Sequence, residues 1–226
     1  ICRDLVHPAL SDFLKTQQNS TFKLVKLVSD FSEQLSDVHR QHAGQLVHLV
    51  DGFKHKYRQI KKDTRCSASS CSSSLENSWE SWLDCVGQDS AAHLKISTML
   101  ENVVARPLLE KTFHLRVQSR RVFTQRESCE RLLAEHQDKM EKSHVDYKSS
   151  WSVHSTNPCP SSKAGYVAAH NCYVEQVNNI NGMLEQFYVE EIPSMLQELS
   201  DVYTDVVHVV RETMGEGSSI MKDKVS

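Results

Sequence analysis

Seven glycines and five prolines are few for a chain of 226 residues. A sheet protein with many tight turns needs more of both, so the shortage argues for long helices joined by few loops. No stretch approaches the roughly 18 consecutive apolar residues of a membrane-crossing helix. There is no Gly-rich phosphate loop, no GxSxG elbow and no CxxC pair. No nucleophile, base and orienting group are brought together by motif spacing, so an enzyme is not expected, and neither is a cofactor. The opening ICRDLVHPAL is too short and too charged for a secretory leader. Seven cysteines, an odd number, then read as free thiols in a reducing compartment. Cys66 and Cys71 have no second matching pair, so a structural zinc site is not expected there.

What the chain does have is helical periodicity. From Ser11 to about Lys62 there is no proline. Leu24, Val28, Phe31, Leu35, Val38, His42, Leu46, Leu49, Phe53, Tyr57 and Ile60 recur almost always at steps of three or four. About 50 residues at a rise of 1.5 Å make a helix of roughly 75 Å. The Ser-rich segment 66–74 breaks the pattern, and Ser73-Ser74-Leu75-Glu76 has the form of a capping box opening the next helix. That helix carries Trp79 and Trp82, three apart and so near one face, where an aromatic pair is expected to be core. Pro107 should kink it without ending it, because the apolar pattern resumes at Leu108. Residues 153–165 form the clearest break. The last stripe runs from Tyr173 and Val177 through Phe187, Ile192 and Leu199 to Val210, with one longer step before Pro193 that predicts a stutter and a local bend. Residues 1–214 read as one helical domain and 215–226 as a polar tail that frays. Three such helices bury their stripes most easily against a second copy.

Charge is segregated although the net value is only −3. Lys54, Lys56, Arg58, Lys61, Lys62 and Arg65 form one basic run, and Arg106, Lys111, Arg116, Arg120, Arg121 and Arg126 a second. Between Lys163 and Arg211 there is no Lys or Arg at all, and seven acidic residues lie in that span. The plainest reading is a solvated bundle whose acidic helix pairs with basic neighbours. The sharper one is a cationic face for an anionic membrane. Nucleic acid is not expected, because no aromatics are interleaved with the basic runs and the chain as a whole is not basic.

The ordered set of motifs resembles the F-BAR (FCH-BAR) domain, over nearly the whole chain. The residues that carry the likeness are Phe31, Val38 and Ala43 in the first long helix, then Ser74, Leu75, Trp79, His93, Val104, Pro107 and Leu108. Tyr173, Val177, Asn181, Phe187, Tyr188, Ile192, Pro193, Met195, Leu196 and Leu199 follow in the last helix. Leu35, His39 and His42 stand where the family usually has Arg, Glu and Tyr, and Asp37 where many members have a membrane-facing Lys. The chain therefore resembles a divergent member.

The resemblance implies an all-α, elongated bundle of three long helices with a short leading segment, paired as a crescent-shaped antiparallel homodimer. It implies a module that binds anionic phospholipid on the cytosolic face of the plasma membrane, senses or shapes curvature, and links the membrane to actin or endocytic machinery. Further C-terminal modules would belong to a longer protein. The alternative is a protein-interaction scaffold of the same fold with little lipid binding, motivated by Asp37, the near-neutral charge and the acidic last helix. Candidate membrane-binding residues are Lys111, Arg116, Arg120, Arg121 and Arg126, with Lys54, Lys56, Lys61 and Lys62 behind them. Candidate seam residues are Phe31, Leu35, Val38, Trp79, Trp82, Tyr173, Val177, Phe187 and Leu199. His39 and His42 are expected to fill seam positions, since a metal site needs further ligands.

Overall fold

The computed structural model describes residues 11–64 and 73–223, and among them only Ser73 and residues 157–159 lie outside a helix. The leading segment 1–10 and the loop with Arg65, Cys66 and Cys71 fall outside the described residues. Three long helical runs follow one another. The first is α1, Ser11–Thr64. In the second, α2 (Ser74–Met99) passes through a π-helical turn, Leu100–Ala105, into α3 (Arg106–Thr156). In the third, α4 (Pro160–Gln186) passes through a second π turn, Phe187–Glu191, into α5 (Ile192–Asp223). The all-α fold of three long helices is the one that the periodicity predicts.

The expected capping box opens α2. Ser73 Oγ accepts from the Glu76 N–H at 3.2 Å, and the Glu76 carboxylate accepts from the Ser73 N–H at 3.1 Å. The helix break expected over residues 153–165 is much shorter, confined to 157–159, because Cys159 caps α4 and Pro160 sits at its first position.

Both interior prolines follow the same device, and neither ends its helix. Each lies two residues after a π turn. Arg106 N–H bonds to Glu101 O just before Pro107, and Ile192 N–H bonds to Phe187 O just before Pro193. Proline lacks an N–H and its ring crowds the carbonyl four residues back. One turn widened to a five-residue step precedes it. The long step from Phe187 to Ile192 in the apolar stripe is this inserted residue, and both side chains are buried.

The chain divides into two compact units. In the unit of residues 20–114 and 206–223, α1 and α2 run antiparallel. Ser29 Oγ donates to Ala105 O at 3.0 Å, Ser36 Oγ to Ser97 O at 2.9 Å, and Ser90 Oγ to Ala43 O at 2.9 Å. Small side chains let the backbones approach closely, and each hydroxyl is satisfied by a carbonyl across the gap. Ile96, Leu100, Val104 and Ile220 form its core, with Leu35 and Met221 packed against them. The segment after Met214 was expected to fray. Instead α5 continues to Asp223, because Ile220 is buried in this core and a Cβ on Gly217 would meet Val104 at 3.5 Å.

In the unit of residues 11–19 and 115–205, Val122, Phe123, Met195 and Leu199 form one cluster, and Phe187, Ile192 and Leu196 another. Leu14 and Cys129 pack against both clusters. The end of α3 and the start of α4 form an antiparallel pair laced by rings. His144 stacks on Tyr173 at 4.9 Å between centroids, Tyr147 on Tyr166 at 5.6 Å, and Trp151 meets Tyr166 at 5.0 Å.

Candidate functional site

α1 carries two different faces. Towards its own unit it buries Phe22, Val25, Ser29, Ser32, Ser36, His39, Ala43 and Val50, a run of mostly small and polar side chains after Phe22, at steps of three and four before a last step of seven. The large apolar stripe read from the sequence is centred roughly a quarter-turn away, about 100° at 3.6 residues per turn. Much of it faces outward: Phe31 is 64 % exposed, Val38 61 % and Leu24 54 %, and Leu27 beside it is 64 % exposed. Leu35 is half-buried against the core.

The other candidate seam residues divide in the same way. Phe187 and Leu199 are core. Tyr173 and Val177 are half-buried. Trp79 is half-buried, edge-on to Phe53 at 6.3 Å and to Trp82 at 5.7 Å. Trp82 itself is 65 % exposed, so within a single chain it is not the core residue that its spacing suggested. The physical reason is the choice of packing face: Leu83, not Trp82, points into the unit. Exposed apolar side chains scattered singly are ordinary, whereas a row along one helix with aromatics beside it is a patch of the kind that interaction sites present.

The basic candidates also separate. Lys54 is bound to Asp84 at 2.8 Å and Lys61 to Glu80 at 2.9 Å, and Glu80 pushes the Lys61 ammonium above its ordinary pKa. Lys56 lies over the Phe53 ring at 4.8 Å. Lys62 is exposed. Lys111 is exposed and 3.8 Å from Glu212. Arg126 is buried, with Nε 2.9 Å from Glu130, and so is withdrawn from any surface role. Arg116, Arg120 and Arg121 are exposed, and among the described residues none of them forms an ion pair. Among the described residues, the acids of the last helix form no direct ion pair with Arg116, Arg120 or Arg121, contrary to the plain reading. Glu198 accepts from Gln118 at 2.9 Å and Glu191 from Gln125 at 3.3 Å.

A further cluster was not put together from the sequence. His39 Nδ1 lies 2.8 Å from His93 Nδ1, and the His42 ring meets His93 edge-on at 4.4 Å. Asp89 Oδ2 is 3.9 Å from His93 Nε2. The signal was there: antiparallel α1 and α2 with Ser36 opposite Ser97 must bring position 39 next to 93.

None of the described helices is long and apolar enough to cross a membrane. No family model matches the chain. No curated protein matches it. Among solved structures, the EFC/F-BAR domain of Drosophila Syndapin/PACSIN is similar, at 14 % identity and a TM-score of 0.48, over 96 % of this chain and 80 % of that one.

Proposed function

We propose that the chain is a self-associating helical module that lies against anionic phospholipid. Two copies pair through the outward stripe of α1, with Leu27, Phe31 and Val38 at its centre and Trp82 beside it. Arg116, Arg120 and Arg121 hold the pair to the membrane. The reading rests above all on the α1 stripe, where large apolar side chains stand in water while the same helix packs a Ser-rich face inward. Burying such side chains is worth about 1.5–3 kcal/mol each. The motifs that resemble an F-BAR domain agree with this reading. They extend it to a role in shaping curvature at the cytosolic face of the plasma membrane, alongside actin or endocytic proteins.

The test of the membrane surface is co-sedimentation with phosphatidylserine-rich and with neutral vesicles, at low and high salt. Binding to the anionic vesicles alone, weakened as salt shortens the Debye length, is expected. R116E/R120E/R121E removes about 3 kcal/mol at roughly 1 kcal/mol per basic residue, and so more than a hundredfold in partitioning. Unchanged binding takes these arginines out of the surface.

A second reading is a dimeric scaffold with little affinity for lipid. The observation that favours it is the pairing of Lys54 and Lys61 with acids and the burial of Arg126, which withdraw much of the basic character. A folded dimer that sediments with neither vesicle selects it.

A further inference from the structure

The geometry points to a divalent transition-metal site of the zinc type, built from His42, Asp89 and His93 and held in place by His39. The two helices supply the residues in pairs, His39 and His42 three apart on α1, Asp89 and His93 four apart on α2. At those spacings both members of a pair share a helix face, and the antiparallel packing turns the two pairs towards each other. One ligand atom from each of His42, Asp89 and His93 lies within 4.8 Å of the other two.

The arrangement around His93 is what makes this more than a cluster. Its ring is buried, so its orientation is fixed by packing. Its Nδ1 is 2.8 Å from His39 Nδ1, and a hydrogen bond between two ring nitrogens requires one to carry the proton and the other to be bare. When His93 donates and His39 accepts, His93 Nε2 is left as a lone pair, directed to the side where Asp89 stands 3.9 Å away. That is the tautomer a metal at Nε2 selects, and His39, itself not a ligand, is placed to accept the Nδ1 proton that it requires. His39 is thus a positioning residue.

Two imidazoles and one carboxylate suit zinc or a neighbouring first-row ion, and they do not suit calcium or magnesium, which take oxygen ligands. Metal–ligand bonds of about 2.0–2.2 Å in a tetrahedron place ligand atoms roughly 3.3 Å apart. The contraction from the present separations is small, and it falls on His42 and Asp89, the two exposed members. A water completes the coordination on the exposed side. All three ligands belong to one chain, so the ligand set is complete without a second copy or a membrane.

Cobalt(II) is the probe, because thiolate ligation announces itself by a strong near-ultraviolet charge-transfer band that nitrogen and oxygen ligands lack. Titration of the full chain should give one saturable equivalent with visible d–d bands of a four-coordinate ion and no thiolate band, displaced by zinc and not by magnesium. His42→Gln and Asp89→Asn, both at exposed positions, should each weaken binding at least tenfold with the helical circular dichroism unchanged. His39→Gln should weaken it by about 10- to 100-fold while leaving the d–d spectrum of the loaded form alone, as expected for a residue acting through a ligand. Absence of saturable binding, a thiolate band, or affinity indifferent to His42→Gln and Asp89→Asn would overturn the assignment.

Discussion

Ser36 and Ser97 meet hydroxyl to hydroxyl at 3.0 Å across α1 and α2, and the Ser36 Oγ also lies 2.9 Å from the Ser97 carbonyl. Both residues are about 1 % exposed. The contact sets how closely the two backbones approach. A larger side chain there must push them apart. Ser36→Leu is expected to destabilise by about 1–3 kcal/mol through overpacking, and Ser36→Ala by about 1 kcal/mol through the lost hydrogen bond. Urea unfolding followed by circular dichroism measures both. A leucine variant as stable as the parent would mean that the helices are not in close contact at this level.

Phe31→Glu with Val38→Glu is expected to separate the paired chains without unfolding them. Both side chains stand in water in the single chain, so the monomer loses no internal packing. Sedimentation velocity should report the monomer and far-ultraviolet circular dichroism an unchanged helix content. A double variant that keeps the mass of the pair removes the α1 stripe from the interface.

The cysteines should differ in reactivity. Cys159 caps α4, with its sulfur 3.1 Å from Ser161 Oγ and accepting from the Ser162 N–H at 3.3 Å. The Ser161 and Ser162 hydroxyls, and then the Ser162 N–H, lower its pKa to about 7. Burial, with Glu191 and Glu130 nearby, moves the Cys129 thiol upward. The thiolate is the nucleophile, so the alkylation rate follows its fraction. Iodoacetamide at neutral pH should label Cys159 well before Cys129, and its rate at Cys159 should level off above pH 8 while that at Cys129 still climbs. Peptide mass spectrometry resolves the two sites. Equal rates would contradict the capping geometry.

Gly215→Ala should raise stability by about 0.5–1 kcal/mol, since glycine is a poor helix former. A Cβ at that position meets nothing within 4 Å. The gain requires that α5 continue past Met214. No change in the thermal midpoint would indicate that this end frays.

Much of the fold was legible in the sequence because long helices announce themselves by period. Ser73 and Glu76 gave the start of α2, and the five-residue step from Phe187 to Ile192 marked the π turn. The packing face of α1 was not legible. Hydrophobic periodicity selects large apolar residues such as Phe31, whereas the close antiparallel contact selects small ones such as Ser29, Ser36 and Ala43. The polar tail hid one apolar anchor, Ile220, among small and charged neighbours. The basic residues looked alike as a run of letters. Tertiary partners, Asp84 for Lys54 and Glu80 for Lys61, and the burial of Arg126 beside Glu130 one turn along its own helix, separate them from Arg116, Arg120 and Arg121. His39 and His42 lacked further ligands only until α2 brought Asp89 and His93 beside them.

The proposed function stands or falls with pairing through α1, which the mass of the particle in solution reports. Multi-angle light scattering at low micromolar concentration should return twice the 25.8 kDa of the chain. A stable particle of 25.8 kDa would contradict it.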